Sequence, residues 1–398
     1  MLKYELKKIF VKRLNRILLI AALFLVIAFG LFAACNFHFV SERGSKESGP
    51  GAARKLVAEK NRWKGTLTPA VLAKVTSETQ KNNRRYPNGQ IPEAIYGKTE
   101  QSYKDINEMI NVILSGGGEY RAGAIMKITP AQAKNLYRIR EKNIGRFIRK
   151  YRRDPAVKKF LRRQYDKVKT PFYYEAADPW RKMDLYAGAF GVILVILVAV
   201  LTSGIFADEF ETGACAIFFT TCYGRTKGIR RKIFTGLITA TAVYGTGIGL
   251  LSAVVFSITG VSGAGTCIQI ENSYAVYALT HAQQYALILF CGYIAALLSA
   301  AVSMLISAKS HSVSLAVCVP ILLFCAMPFI GRVLPFDTFF ELTPDQLLNL
   351  YTILPVPFVY HMGPLVFRQV PCLMIMYLVV TFALLPLIYR VSRCAAGG

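Results

Sequence analysis

Six stretches of this chain, near residues 17–36, 184–206, 233–260, 283–307, 312–333 and 371–390, are long and apolar enough to cross a hydrocarbon core. Such a core is about 30 Å thick, and an α-helix spans it with about 20 residues. In lipid every backbone N–H and C=O must be satisfied within the segment, so each stretch is expected to be a helix rather than an open strand. The fold class that follows is an all-α polytopic membrane protein. A hydrophobic fraction of 54% over 398 residues excludes a string of soluble globular domains.

Orientation follows from Lys and Arg in short flanks, which resist translocation. Residues 1–16 carry Lys3, Lys7, Lys8, Lys12, Arg13 and Arg16 against Glu5 alone, which places the N-terminus in the cytoplasm. Counting spans then puts 207–232, 308–311 and the C-terminus, with Arg390 and Arg393, on the same side. The loops 261–282 and 334–370 fall outside; the first has no Lys or Arg and the second only Arg368. Residues 37–182 break the pattern, with 32 Lys and Arg against 14 Asp and Glu. Loops much longer than about 60 residues cross largely regardless of charge, so this segment is expected to be a basic extracellular domain. The division is therefore 1–16, an N-terminal amphipathic interfacial helix; 17–36, the first span; 37–182, the external domain; and 183–398, a five-helix membrane region.

Within the external domain, 41–54 (SERGSKESGPGAAR) reads as a flexible tether. A helix is expected near 102–115, ended by Gly116, Gly117 and Gly118. A second should start at Thr129, which forms a capping box with Gln132 and precedes Pro130 in the first turn. Its apolar face is Leu136, Ile139, Ile144, Phe147, Ile148 and Tyr151. A third covers about 155–168, and Phe172, Tyr173, Tyr174 and Trp180 lead into the second span as an interfacial aromatic group. The domain is thus expected to be mainly helical. Its basic surface suits either anionic lipid headgroups or an acidic ligand; no nucleic-acid motif accompanies the charge.

Nine cysteines lie in or beside spans and short loops, none of them in 37–182, so no disulfide staples the external domain and no zinc spacing occurs. Buried thiols serving as small apolar groups are expected. Residues 31–35 (LFAAC) resemble a lipoprotein cleavage box, although Phe32 occupies a position where such boxes usually have Leu. In the third span, Gly245, Gly247 and Gly249 (GTGIG) would admit close helix approach. Leu2, Leu6, Ile9, Phe10 and Leu14 recur at helical intervals, as in a helix lying in the headgroup plane and continuing into the first span, or in a simple topology signal.

The segment 207–232 carries most of the functional information. If Asp208 opens a helix, then Asp208, Glu209 and Glu211 lie in its first turn, where acids favour the dipole. Phe210, Ala214, Ile217, Phe218 and Thr221 then form one apolar face, with nothing in the chain to bury it. Such a face either docks into a cleft on a soluble partner or rests on lipid.

This segment, GIFADEFETGACAIFFTTCYGRTKGIRRKI, resembles the loop between the second and third spans of the ABC type-2 transporter permeases. The shared pattern is an acid, an aromatic, a polar pair, Gly, a short apolar helix, then a small or aromatic residue with Gly, Arg and a base. Glu209, Phe210, Gly213, Tyr223, Gly224, Arg225 and Lys227 fit it, whereas Ala214 and Cys215 replace the Thr and polar residue common in relatives. The six spans, basic N-terminal helix and large first external loop match as well.

The resemblance implies the permease subunit of an ATP-driven exporter in a bacterial plasma membrane. Its partners would be a cytoplasmic ABC ATPase, a second permease chain (identical or homologous) and the lipid bilayer. The ATPase-coupling residues would be Asp208, Glu209, Phe210, Glu211, Gly213, Ile217, Phe218, Tyr223, Gly224, Arg225 and Lys227. A short helix after Thr343 in the loop 334–370 would close the outer mouth of the pore. ATP and Mg would belong to the partner, with no cofactor on this chain; indeed no G-x-x-x-x-G-K-[ST] loop occurs. No catalytic or metal-binding constellation is legible either, and ionisable residues inside the spans look almost absent, which argues against a proton relay. The alternative is a membrane-anchored sensor or ligand-binding protein acting through the basic external domain.

Overall fold

All six apolar stretches fold as helices long and apolar enough to cross a membrane: Arg13–Cys35, Asp178–Glu211, Gly224–Thr259, His281–Ser310, Val313–Gly331 and Gln369–Cys394. The chain is a helical membrane protein. The computed structural model describes residues 2–394 apart from 88–89, 117–120, 122, 152–153, 216, 218–220, 222–223, 334–335 and 363–364. The second span, at 34 residues, is about 51 Å long at 1.5 Å per residue, well beyond the hydrocarbon thickness. Its polar ends project past the apolar band at both sides, which hydropathy alone does not register.

The second and fourth spans form the centre of the bundle and are its most buried helices. They run parallel and in register, held by a ladder of serines at four-residue intervals. Ser299 Oγ donates to the Val195 carbonyl at 2.9 Å, Ser303 Oγ to Ala199 at 2.8 Å, and Ser307 Oγ to Ser203. Small side chains allow this approach, and each interhelical bond in a membrane contributes about 0.6 kcal/mol. The first, fifth and sixth spans present apolar side chains outward, among them Phe24, Leu322 and Phe382.

Of the three glycines in the GTGIG run only Gly247 sits against another helix. A Cβ there would lie 2.6 Å from Leu194, whereas Gly245 and Gly249 face open space. Gly247→Val is therefore expected to lower stability by about 1–3 kcal/mol through overpacking, and Gly245→Val to change it little. Thermal unfolding of the two purified variants in detergent checks this.

The segment between the first two spans is a mainly helical domain with its own core, built from Leu72, Val75, Ile106, Met109, Ile110, Ile113 and Phe172. The helix expected near 102–115 is Glu100–Leu114, followed by Gly116 at φ +77°. The capping box at Thr129 and Gln132 has both reciprocal bonds, but it caps only Pro130–Ala133; a turn separates this from Leu136–Tyr151. The third helix is Pro155–Tyr165, capped by Asp154.

Residues 41–54 are not a tether. β1 (His38–Val40) pairs antiparallel with β2 (Lys46–Ser48), turning at Gly44 with φ +82°, and a helix runs from Pro50 to Lys60. The Gln101 side chain fixes the hairpin by bonding both the N–H and the C=O of Val40. The helix Pro69–Arg85, unanticipated, has its signal in Thr68 capping a Pro-initiated turn.

Phe172 and Tyr174 belong to the domain core rather than to an interfacial belt. β3 (Gly65–Thr66) pairs with β4 (Tyr173–Tyr174). The end of the third span and the residues after it lie against this domain and the start of the second span: Arg54 donates to the Ile258 and Ser257 carbonyls, Asn61 to the Ser262 hydroxyl, and Trp180 to the Val261 carbonyl.

In 334–370 the expected helix after Thr343 is two single turns, Pro344–Leu347 and Leu350–Ile353, followed by the hairpin of β5 (Val359–Met362) and β6 (Leu365–Arg368). The turns pack back onto the second span, where the absence of a side chain at Gly188 admits the Leu348 carbonyl. Among the described cysteines, all free, only Cys291 is buried.

Candidate functional site

At the end of the bundle that carries the N-terminal helix, the chain from the second to the third span is held by charge. The N-terminal helix (Leu2–Val11) breaks at Lys12, whose ψ of 130° is extended, instead of continuing into the first span. Asn15 Nδ2 donates to the Ile9 carbonyl at 2.8 Å across this bend. The break lays Glu5, Lys8 and Lys12 along the end of the second span.

That span continues to Glu211, which corrects the expectation that Asp208 opens a helix. Asp208, Glu209 and Glu211 occupy the last turn, where the dipole disfavours acids, and three lysines supply the missing charge. Lys12 pairs with Asp208. Lys232 Nζ, in a residue only 2% exposed, lies 2.7 Å from Glu209, 3.3 Å from Glu5 and 2.7 Å from the Ile205 carbonyl. Lys8 adds a 3.4 Å contact to Glu209. Gly204 is part of this clamp, because a Cβ there would meet the Asp208 carboxylate.

The remaining predicted residues separate into a held group and an exposed group. Phe210 stacks on His311 with ring centroids 3.6 Å apart, so it is covered by its own chain, contrary to expectation. Glu211 Oε1 accepts from the Val313 N–H at 3.3 Å. Gly213 ends the helix at φ +71°, a conformation other residues rarely adopt. Ile217 is 74% exposed. Phe218 and Tyr223 lie outside the described residues. Gly224 is buried and begins a π-helical turn, Gly224–Gly228, that is already part of the third span, with Arg225 and Lys227 exposed on it. The basic run is thus helical from the start rather than a returning loop.

A second charged centre, not foreseen, lies at the opposite end. Lys60, also buried, donates to Asp105 at 2.9 Å and Asp178 at 2.7 Å; Arg181 reaches Asp105 at 3.2 Å and pairs with Glu271; Tyr174 OH donates to Asp105 at 3.0 Å. Burial works to raise the Asp105 carboxyl, but Arg181 and then Lys60 outweigh it and hold the group well below the usual carboxylate range. Burial, then Asp105, push the Tyr174 hydroxyl well up, so it remains a donor.

Ionisable groups are almost but not wholly absent from the spans. Asp184, fully buried in the second span, accepts from Gln284 Nε2 at 2.7 Å. Its only sequence signal was its position at the edge of an apolar run. Among the described residues no group of three or more His, Cys, Asp or Glu is placed to hold a metal ion. No protein-family model and no curated protein matches this chain.

Proposed function

We propose that the chain is the permease subunit of an ATP-driven ABC exporter, with the N-terminal helix and the 207–232 segment on the cytoplasmic side. The observation that carries this reading is the clamp made by Lys232, Glu209, Glu5, Lys12 and Asp208. It fastens both helices flanking 212–223 to one another and to the N-terminal helix. A force applied to that connecting segment by a closing ATPase would be passed to the second and third spans rather than absorbed by fraying ends. Because the serine ladder fixes the fourth span to the second, the same force would reach the bundle centre. The outward apolar faces of the first, fifth and sixth spans suit lipid and a second permease chain.

Ile217→Asp places a charge on the exposed part of this segment and leaves the clamp untouched. Purification of the tagged full chain from its native membrane is expected to bring a soluble ATPase with it. The Ile217→Asp chain, at equal expression, should retain less than a tenth of that ATPase. An ATPase recovered equally by both would exclude this docking surface, and recovery of no ATPase would exclude the permease reading.

A further inference from the structure

Among the described residues of the domain between the first two spans, Arg140 is a cation buried without a counter-charge. Arg140 is 4% exposed; its Nε donates to the Ser273 carbonyl at 2.8 Å, and its guanidinium lies 5.3 Å from the centre of the Phe172 ring. Its Nη2 has no hydrogen-bond partner, and no carboxylate among the described residues lies within 4.0 Å of it. Lys60, equally buried in the same domain, has two carboxylates. A buried guanidinium without a counter-charge is costly, and an anion bound beside it would offset part of that cost.

Arg140 lines a cleft of about 340 Å³ between the helices Leu136–Tyr151 and Pro155–Tyr165, a size that suits a small ligand. Arg138 and Arg162 line it as well, both exposed, together with the acids Glu141 and Asp166. The phenols of the cleft are committed elsewhere, since Tyr137 donates to the Leu67 carbonyl and Tyr165 to that of Tyr274. The three guanidinium groups and the Thr170 hydroxyl are the side-chain donors left for a ligand. Burial presses the Arg140 guanidinium below the ordinary arginine range, as for a cation without its counter-ion.

We propose that this cleft is a binding site for a small carboxylate- or phosphate-bearing ligand, held by Arg140 with Arg138 and Arg162 at the rim. Guanidinium forks match both groups in a bidentate fashion.

The test is calorimetric titration of the full chain in uncharged detergent with inorganic pyrophosphate and with citrate. Saturable binding of at least one probe is expected, weakened at least tenfold by Arg140→Gln and by Arg162→Gln. Lys142→Gln, on the same helix but outside the cleft, should change affinity less than twofold. Arg140 also holds the Ser273 carbonyl, so Arg162→Gln, at an exposed position, decides the matter where Arg140→Gln does not fold. Competition by phosphatidylglycerol added to the micelles would identify a lipid headgroup as the source of the anion; its absence would identify a soluble one. Failure of both probes to bind saturably, or equal weakening by Lys142→Gln, would overturn the site in favour of diffuse surface charge.

Discussion

Lys232→Met is expected to lower the stability of the purified protein by about 3–5 kcal/mol, the range for breaking a buried ion pair on one side only. The variant leaves Glu209 and Glu5, each 11% exposed at the side chain, beside an apolar group. Lys8 is too exposed, at 60%, to replace the lost charge. The Ile205 carbonyl also loses its donor. The double variant Lys232→Met with Glu209→Gln should recover part of the loss, because one stranded carboxylate is then neutral. Thermal unfolding of the three proteins in one detergent measures this. Equal stability of Lys232→Met and the parent would mean that the clamp contributes nothing. If the clamp transmits force, partner ATPase stimulation should also fall in the double variant despite its better fold.

Asp105→Asn should cost about 3 kcal/mol, the lower end of the same range, because Lys60 retains Asp178 and Arg181 retains Glu271. Lys104→Ala, which removes only the exposed 3.9 Å pair with Glu108, should be close to neutral. Asp105 also predicts a pH dependence. Its folded-state carboxyl titrates below the unfolded value of about 4, so its contribution is complete above that pH and is lost progressively as the pH falls below it. The parent should therefore lose stability on acidification from about pH 4 downward more steeply than the Asp105→Asn variant. Parallel profiles for the two proteins would contradict the assignment of Asp105 as an ionised, paired carboxylate.

The spans were legible because burial in lipid demands a long uninterrupted apolar run, and that demand is local. The serine ladder was legible in principle, since Ser299, Ser303 and Ser307 recur every four residues, but spacing does not say which carbonyls they meet. Glu209 and Lys232 were visible as charges beside apolar runs. Their role is not legible there, because acids before an apolar stretch look the same at the end of one helix as at the start of the next. The bend at Lys12 decided between these, by bringing Lys8 and Lys12 to the acids. Asp105 and Lys60 lie 45 positions apart, and no periodicity relates them.

Sequence by itself determined that this is a six-span helical membrane protein with a basic, mainly helical domain after the first span, because hydropathy, capping and charge bias act within single segments. Tertiary structure decided which charges are paired, which glycine of the GTGIG run is packed, and that 41–54 forms part of an ordered hairpin and helix rather than a tether. It also decided that Arg140 is buried with no partner carboxylate among the described residues. Those outcomes depend on side chains far apart in sequence meeting in a low-dielectric interior, where an ion's cost or benefit is set by what lies within about 4 Å of it.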